Sequence, residues 1–413
     1  MMNRIIILLL CCAFFGAYPL RKTGDEKPAP NKKEYIKKTG EEIVNVRVLS
    51  QTKVTSLLIA PQKGLYYLIA DGKNIAELNE QAILKATLLT DSIELKTFET
   101  TIGKCKSFKI VSLSDEKTVK VKVLQPDRKP RFFDDNLSIS IEDFTDGKPG
   151  AKLRIINNTQ IDHYIAGVSE AEAGSHSTVE FYKVQSILAR TYALAHLYKH
   201  GAEGYNLCDQ VHCQAFYGKS NDAEILEAVA GTKGMVVVDE NLQLITAAFH
   251  SNSGGETVNS EDVWGTKTSY LKTVKDSFSL KMPNAKWERK MSTEDWLIYL
   301  KIKHNYPVTD SLAKMAALNF KQETRKINLE YGTVKVPLRS VRTDLQLKST
   351  FFSLEQKGDT VLFKGKGFGH GIGMCQEGAM RMTKIGYKYK DVLNFYYKNV
   401  HIINLKELNF FKE

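Results

Sequence analysis

The sequence predicts an α+β fold. Valines alternating with polar residues mark half-buried strands in the first third of the chain, and one well-patterned helix follows. Later strand and helix runs stay apart instead of alternating as β-α units. Of the 413 residues, 43% are hydrophobic and 25% charged, which allows a sizeable core and excludes a fibrous or wholly disordered chain. A net charge of +11 suits an anionic partner such as nucleic acid, a membrane face or a wall polymer. The charges are spread along the chain without a dense arginine cluster, so they select none of these.

Met1-Met2-Asn3-Arg4 is a short basic start, and Ile5 to Ala17 is an unbroken apolar run. It falls short of the roughly 20 residues that span a bilayer. Residues 1–17 therefore read as a secretory signal or N-terminal anchor, with Gly16-Ala17 as a small-residue cleavage region; Cys11 and Cys12 add a lipoprotein reading. Beyond them the chain keeps Cys105, Cys208, Cys213 and Cys375, too few for a disulfide scaffold. Residues 18–42 are polar, basic and proline-bearing, the composition of a flexible tether.

Residues 43–160 read as β-rich. Val44, Val46 and Val48 alternate with Asn45 and Arg47, and Val119, Val121 and Val123 alternate with Lys120 and Lys122; LLIA, GLYYLIA and SIELKTF look like further strands. A helix is predicted over 178–199. Ser177 or Thr178 is its N-cap, Phe181, Val184, Ile187, Leu188, Thr191 and Ala195 form its stripe, and Gly201 stops it. GMVVV and LQLITAAFH flank a hairpin turn at Asp239-Glu240-Asn241. Residues 285–320 read mainly helical, with Ser292-Thr293-Glu294-Asp295 as a cap. Strands return over 326–364, and helices again after Gln376.

Four segments carry chemistry. In GKGFGHGIGM (365–374) glycine falls at every second position, so an extended chain would bare one face and project Lys366, Phe368, His370 and Ile372 from the other. Such a face costs entropy and is tolerated where another backbone or a ligand approaches closely. HSNSGGET (250–257) is a polar loop after a predicted strand, able either to hydrogen-bond sugar hydroxyls or simply to turn. In YIAGVSEAEAG (164–174), Glu170 and Glu172 lie among small residues ahead of the 178–199 helix. Either is a candidate general acid if burial favours its neutral form, and both could equally be solvated. CDQVHC (208–213) gathers Cys208, His212 and Cys213, which fits three zinc ligands, a Cys208–Cys213 disulfide in an oxidising compartment, or free thiols.

In this order the segments resemble the stage II sporulation protein D / LytB (SpoIID/LytB) family. Its signature runs YLxGVVxxEMP, a helix ending AxARTYA, CDxxHCQxY, YHSxSGGxTxxxxxVWG and GxGFGHGxGMSQxGA. Here these stand as YIAGVSEAEAG (164–174), SILARTYALA (186–195), CDQVHCQAFYG (208–218), FHSNSGGETVNSEDVWG (249–265) and GKGFGHGIGMCQEGA (365–379). PLRSVRTDLQLKSTFF (337–352) and DVLNFYYKNVHI (391–402) extend the likeness. The resemblance implies one elaborated domain over 43–405. Its parts are a β-rich part (43–160), a helix-bearing catalytic core (161–284), a helical and strand insertion (285–350) and a C-terminal glycine-rich part (351–405), with the substrate groove between the β-rich part and the core.

The family resembles lytic transglycosylases acting on peptidoglycan glycan strands, particularly peptide-stripped ones. The family glutamate falls on Glu172, not Glu170, and would serve as sole acid and base. It protonates the MurNAc–GlcNAc oxygen, then deprotonates the MurNAc 6-hydroxyl, leaving a 1,6-anhydro end; this departs from the two-carboxylate glycosidases. The resemblance makes Arg190 a residue that orients Glu172 or a sugar substituent. It makes His250, Ser251, Ser253, Gly254, Gly255, His370 and Gln376 groove residues. No cofactor is required for the chemistry; a structural Zn2+ on Cys208, His212 and Cys213 stays open beside the disulfide. Expected partners are glycan strands and, on a rival reading, a cell-wall amidase stimulated by a non-catalytic wall-binding protein. Nucleic acid is not expected, and the membrane enters only through an uncleaved N-terminus. The expected location is the periplasm or cell envelope. The sequence departs from the pattern twice: Ala173-Gly174 replaces Met-Pro, and Cys375 replaces the serine of GMSQ.

Overall fold

The computed structural model describes residues 43–114, 117–143 and 150–410; the signal and tether readings at 1–42 lie outside the described residues. The chain is α+β, and it forms two compact units. Among the described residues, one unit comprises 43–236 with 404–410, and the other 237–403.

Twelve strands open the first unit: β1 (Ile43–Val48), β2 (Ser56–Lys63), β3 (Tyr66–Ala70), β4 (Lys73–Leu78), β5 (Leu84–Leu88), β6 (Ile93–Lys96), β7 (Thr101–Cys105), β8 (Ser107–Ser112), β9 (Thr118–Gln125), β10 (Arg131–Asp134), β11 (Asn136–Asp143) and β12 (Ala151–Gln160). With the short β13 (Leu207–Cys208) they make two sheets, ordered β13-β1-β12-β11-β8-β3-β4 and β10-β9-β2-β5-β6-β7. The valine ladders behave as their alternation demands. Val44, Val46 and Val48 are buried on β1, as are Val119, Val121 and Val123 on β9, while the intervening residues of β1 are half-buried. β1 pairs antiparallel with β12 and parallel with β13, which places Arg47 beside Cys208.

β12 runs directly into α1 (Ile161–Ala173), followed by α2 (Val179–Ala195) and α3 (Ala223–Gly231), all three packed on one another. Thr178 caps α2 by accepting the Phe181 N–H, and the predicted stripe is buried except for half-buried Ala195. α2 ends at Ala195, earlier than the sequence suggests, and Gly201 begins a separate 3-10 turn. The stretch 164–173, which the sequence places only as lying ahead of the next helix, belongs to α1 itself, a 13-residue helix.

In the second unit, Trp296, Leu300, Tyr306, Val336, Phe352 and Phe363 share a core. It underlies the antiparallel sheet of Lys286–Ser292, Thr360–Lys366 and Phe352–Lys357. Ser292 caps the helix Thr293–His304 through the Asp295 N–H, as the sequence predicts. Two expectations shift. The hairpin at Asp239 reduces to a single bridge, Val238–Leu244, and the strand run over 326–364 is interrupted by the helix Leu338–Asp344.

Candidate functional site

α1 carries Glu172 on its last turn. Its carboxylate oxygen accepts the Ala215 N–H at 2.7 Å. The side chain is half-buried. Burial raises its pKa above the ordinary carboxylate range, against the lowering exerted by that one hydrogen bond. Glu170, two residues earlier, lies about 200° round the helix and so faces elsewhere. The helix geometry alone therefore separates the two glutamates.

What brings Ala215 to Glu172 is a close contact of backbone on backbone. A Cβ at Gly167 would sit 2.1 Å from the Gly218 carbonyl oxygen and 2.5 Å from the Phe216 ring. Glycine alone lets α1 touch the 214–218 loop. Tyr164 adds a hydroxyl bond of 3.3 Å to Gln214 Oε1 and packs on Phe216 at 5.1 Å. Gln214 is 2% exposed, and its other amide atom has no hydrogen-bond partner among the described residues. It stands beside Ala215 and was not singled out by sequence reasoning.

The same loop begins in the Cys–His cluster, which has a fourth member that the sequence did not reveal. His200, in the turn after α2, joins Cys208, His212 and Cys213, and one donor atom from each lies within 4.8 Å of the others. A tetrahedral zinc with ordinary Zn–N and Zn–S bonds needs donor separations of about 3.3 Å N–N, 3.6 Å N–S and 3.8 Å S–S. Observed are 3.2 Å for His212 Nε2–His200 Nε2, 3.8 Å for Cys208 Sγ–His212 Nε2, 3.4 Å for Cys213 Sγ–His200 Nε2 and 3.8 Å for Cys213 Sγ–His212 Nε2. Both cysteines are thiols here, not a disulfide. His200 Nδ1 bonds Glu203 at 2.7 Å, which leaves Nε2 facing the cluster, the usual arrangement around a metal-binding histidine.

Arg190 is placed differently from its expectation. It is 1% exposed and bonds Asp162 at 2.8 Å and the Thr232 carbonyl at 2.8 Å. Asp162 is ten residues before Glu172, about 15 Å away along α1. Arg190 thus clamps the far end of α1 and does not orient Glu172. His163 on that first turn bonds Asp135 at 2.8 Å.

The second unit holds the remaining predicted residues. Phe249–His250 pairs in parallel with Met374–Cys375, and the glycine-rich segment lies against it. The extended reading of 365–374 needs correction: Gly367, Gly369, Gly371 and Gly373 all have positive φ, so the glycines are required by conformation. They also admit a neighbouring backbone; a Cβ at Gly373 would meet the Ala248 oxygen at 2.1 Å. Ser253 is fully buried, bonded to Asp276 at 2.7 Å and to Ser279 at 2.8 Å. Gly254 donates to Asn252 Oδ1 and Gly255 to Ser253 Oγ, Ser251 is half-buried, and Gln376 is buried at the start of the helix Gln376–Lys384. Cys375 caps that helix with its sulfur, accepting from Gly378 at 3.3 Å and also from Ser253 N at 3.2 Å.

His250 and His370 lie 5.6 Å apart, and Trp264 lies 5.6 Å from His370. Both imidazoles are held neutral. Burial and then neighbouring positive charge push His250 well below its ordinary range and His370 down to about 4.

A family model described as stage II sporulation protein (SpoIID) matches residues 150–238, the stretch with α1, α2 and the cluster. The chain is 30% identical over 263 residues to stage II sporulation protein D of Bacillus amyloliquefaciens, covering 60% of this chain and 75% of that protein. The Bacillus subtilis (strain 168) protein of the same name is 28% identical with the same coverage. An amidase enhancer of Bacillus subtilis (strain 168) is 28% identical over 285 residues, which is 56% of this chain and 39% of the enhancer.

Proposed function

Because the chain belongs to the stage II sporulation protein D family, we propose that it works on the bacterial cell wall as a peptidoglycan lytic transglycosylase with Glu172 as its one acid and base. The observation that carries this reading is the environment of Glu172. A half-buried carboxyl with a raised pKa, bonded by the Ala215 N–H, is suited to give up a proton and to take one back. Glu172 gives its proton to the oxygen joining MurNAc to GlcNAc, and the C1–O bond breaks with its electrons on the GlcNAc oxygen. The MurNAc 6-oxygen bonds to C1, and its proton passes to the Glu172 carboxylate. No water is consumed, one 1,6-anhydro end forms, and the enzyme is returned to its starting protonation.

Zinc fits the donor set of His200, Cys208, His212 and Cys213, and its contribution there would be structural, fixing the fold of the 208–213 turn. The residues that follow that turn place the Ala215 N–H on Glu172. The basic, apolar N-terminus supports export to the cell envelope, where the wall polymer lies.

The test is a digest of peptide-free glycan strands, scored for anhydro-muropeptides, with Glu172→Gln and Glu170→Gln beside the unaltered protein. The reading requires anhydro ends from the unaltered protein and from Glu170→Gln, and none from Glu172→Gln. Likeness to an amidase enhancer favours a second reading, a wall-binding protein that stimulates an amidase. That reading gains if no anhydro ends appear while an added amidase is accelerated.

A further inference from the structure

We propose that the second unit contains a binding site for a carboxylate-bearing sugar, built on Arg325 and His250 and covered by Trp264. The inference deepens the transglycosylase reading and rests on it for the identity of the sugar. The lactyl ether of MurNAc ends in a carboxyl group, which is free on peptide-stripped strands and locked in an amide where a stem peptide is attached.

Arg325 supplies the cation. Its Nε donates to the Glu256 carbonyl at 2.7 Å and its Nη2 to the Ser253 carbonyl at 2.6 Å, so its plane is fixed. One face rests 4.9 Å from the Phe351 ring centre. The guanidinium also lies against Gly371 in the GHGIG run, where a Cβ would come within 3.1 Å of it. The remaining nitrogen, Nη1, is buried and without a hydrogen-bond partner among the described residues. The Glu256 carboxylate offsets part of this charge but is itself shared with a lysine. The Glu256 side chain pairs with Lys275 at 3.1 Å, while the positive charge of Arg342 acts on Arg325, His250 and His370 alike. A guanidinium with one buried, unbonded nitrogen near two neutral imidazoles is a group that an anion would stabilise.

His250 supplies an acceptor. Its Nδ1 lies 3.1 Å from the Ile372 carbonyl, so that nitrogen carries the proton and Nε2 presents a lone pair. The residue is 4% exposed, and Nε2 has no hydrogen-bond partner among the described residues. A cation beside a neutral acceptor matches a carboxylate beside a hydroxyl or an acetamido N–H. A lone phosphate can use this pair but has no ring face to stack on an indole.

Trp264 is 38% exposed, lies over His370, and is tied to the helix of Arg342 through Arg339, which donates to the Val263 carbonyl at 2.8 Å. An indole at the rim gives the apolar face of a sugar ring a place to stack.

The experiment is a tryptophan-fluorescence titration of the purified Glu172→Gln protein, so that turnover does not enter. Trp287 and Trp296 are buried, so Trp264 dominates the response. The probes are N-acetylmuramic acid, its methyl ester, N-acetylglucosamine and inorganic phosphate. N-acetylmuramic acid is expected to saturate the signal, with the ester and N-acetylglucosamine at least about tenfold weaker, the usual worth of one charge-assisted hydrogen bond. Arg325→Lys should bring acid and ester close together. Should that variant fail to fold, the acid-against-ester comparison on otherwise unaltered protein still decides. Equal binding of acid and ester, or phosphate binding as tightly as N-acetylmuramic acid, overturns the proposal. Failure of the transglycosylase reading would show instead in the glycan digest, whatever this titration gives.

Discussion

Gly167→Ala separates packing from propensity at the point where α1 meets the loop that serves Glu172. Inside a helix, alanine is favoured over glycine by about 1 kcal/mol, so propensity alone predicts a more stable protein. The structure predicts the reverse. The new methyl would stand 2.1 Å from the Gly218 oxygen, against an ordinary carbon–oxygen contact of about 3.3 Å or more. One partner has to retreat by roughly 1 Å. The loop is poorly placed to do so: Gly218 is pressed on β10, where a Cβ would meet the Phe132 oxygen at 2.2 Å, and Lys219 N donates to that oxygen at 2.7 Å. Overpacking of this kind costs about 3 kcal/mol, which leaves a net loss of about 2 kcal/mol after the propensity gain. For a compact unit of roughly 200 residues, the size of the first one, that is a fall in Tm of about 4–8 °C. A displacement of about 1 Å at a catalytic group lowers turnover by about 100-fold, so activity on glycan strands should fall far more than stability. Gly231→Ala is the control, since its methyl meets only Lys183 Cε at 3.6 Å and the change should be neutral or slightly stabilising. Thermal melts with a paired glycan assay decide the matter. A Gly167→Ala protein as stable and as active as its parent would refute the packing argument.

Other consequences follow from the same geometry. Burial raises the Glu172 pKa, so the acid form persists to higher pH; the rate on glycan strands should fall as pH rises through that raised value, later than for an ordinary carboxylate, and a pH–rate profile checks this. Protein purified under reducing conditions should hold close to one zinc per chain by elemental analysis. His200→Ala should lower that occupancy and Tm together, whereas a parent content far below one would discard the metal. Asp162→Asn takes the carboxylate from a fully buried guanidinium and should cost about 3 kcal/mol in urea unfolding, with a loss under about 1 kcal/mol counting against the clamp. The Asp135–His163 pair gives a pH signature. Although burial pushes Asp135 up, the bonds from His163, Gln160 N–H and Thr159 outweigh it and hold it at about 2, while the Asp135 bond raises His163. Their contribution is therefore present between about pH 4 and 6.5, is lost on the acid side towards pH 2, and is lost on the alkaline side as pH passes the raised His163 value. The Tm difference between the parent and His163→Gln should be largest near pH 5–6 and shrink at pH 9.

The strands were legible because each buries one face, so Val44-Val46-Val48 and Val119-Val121-Val123 carry their own period. α1 was not legible for the opposite reason. Tyr164, Ile165, Ala166, Gly167, Val168 and Ser169 are buried in succession, and a helix enclosed on every side has no stripe to read. His200 escaped notice because it is eight residues before Cys208, in a turn that looks like a fraying helix end; its place in the cluster depends on β13 docking beside β1. Arg190 misled because an arginine in a motif helix looks functional, although its guanidinium bonds Asp162 and the Thr232 and Met235 carbonyls. Alternate glycines suggested an extended strand, whereas positive φ at four of them reserves the spacing for a turning backbone.

The replacement of Met-Pro by Ala173-Gly174 can now be weighed physically. The Ala215 N–H that holds the Glu172 carboxyl arrives from the loop behind Gly167, downstream of the cluster at 208–213, and not from the two replaced positions. Gly174 acts on the helix instead. Its φ of 70° is one that glycine adopts freely, its N–H closes the last turn on the Glu170 carbonyl, and its own carbonyl takes the Tyr182 hydroxyl at 2.8 Å. A proline at 174 has no N–H to give and a φ fixed near −65°, so it would end α1 differently while leaving the Ala215 contact in place. The variant therefore changes how the helix stops, not what surrounds the acid. Gly174→Pro should consequently alter stability more than the pH dependence of turnover, and a shifted pH–rate profile in that variant would show that the end of α1 does govern Glu172.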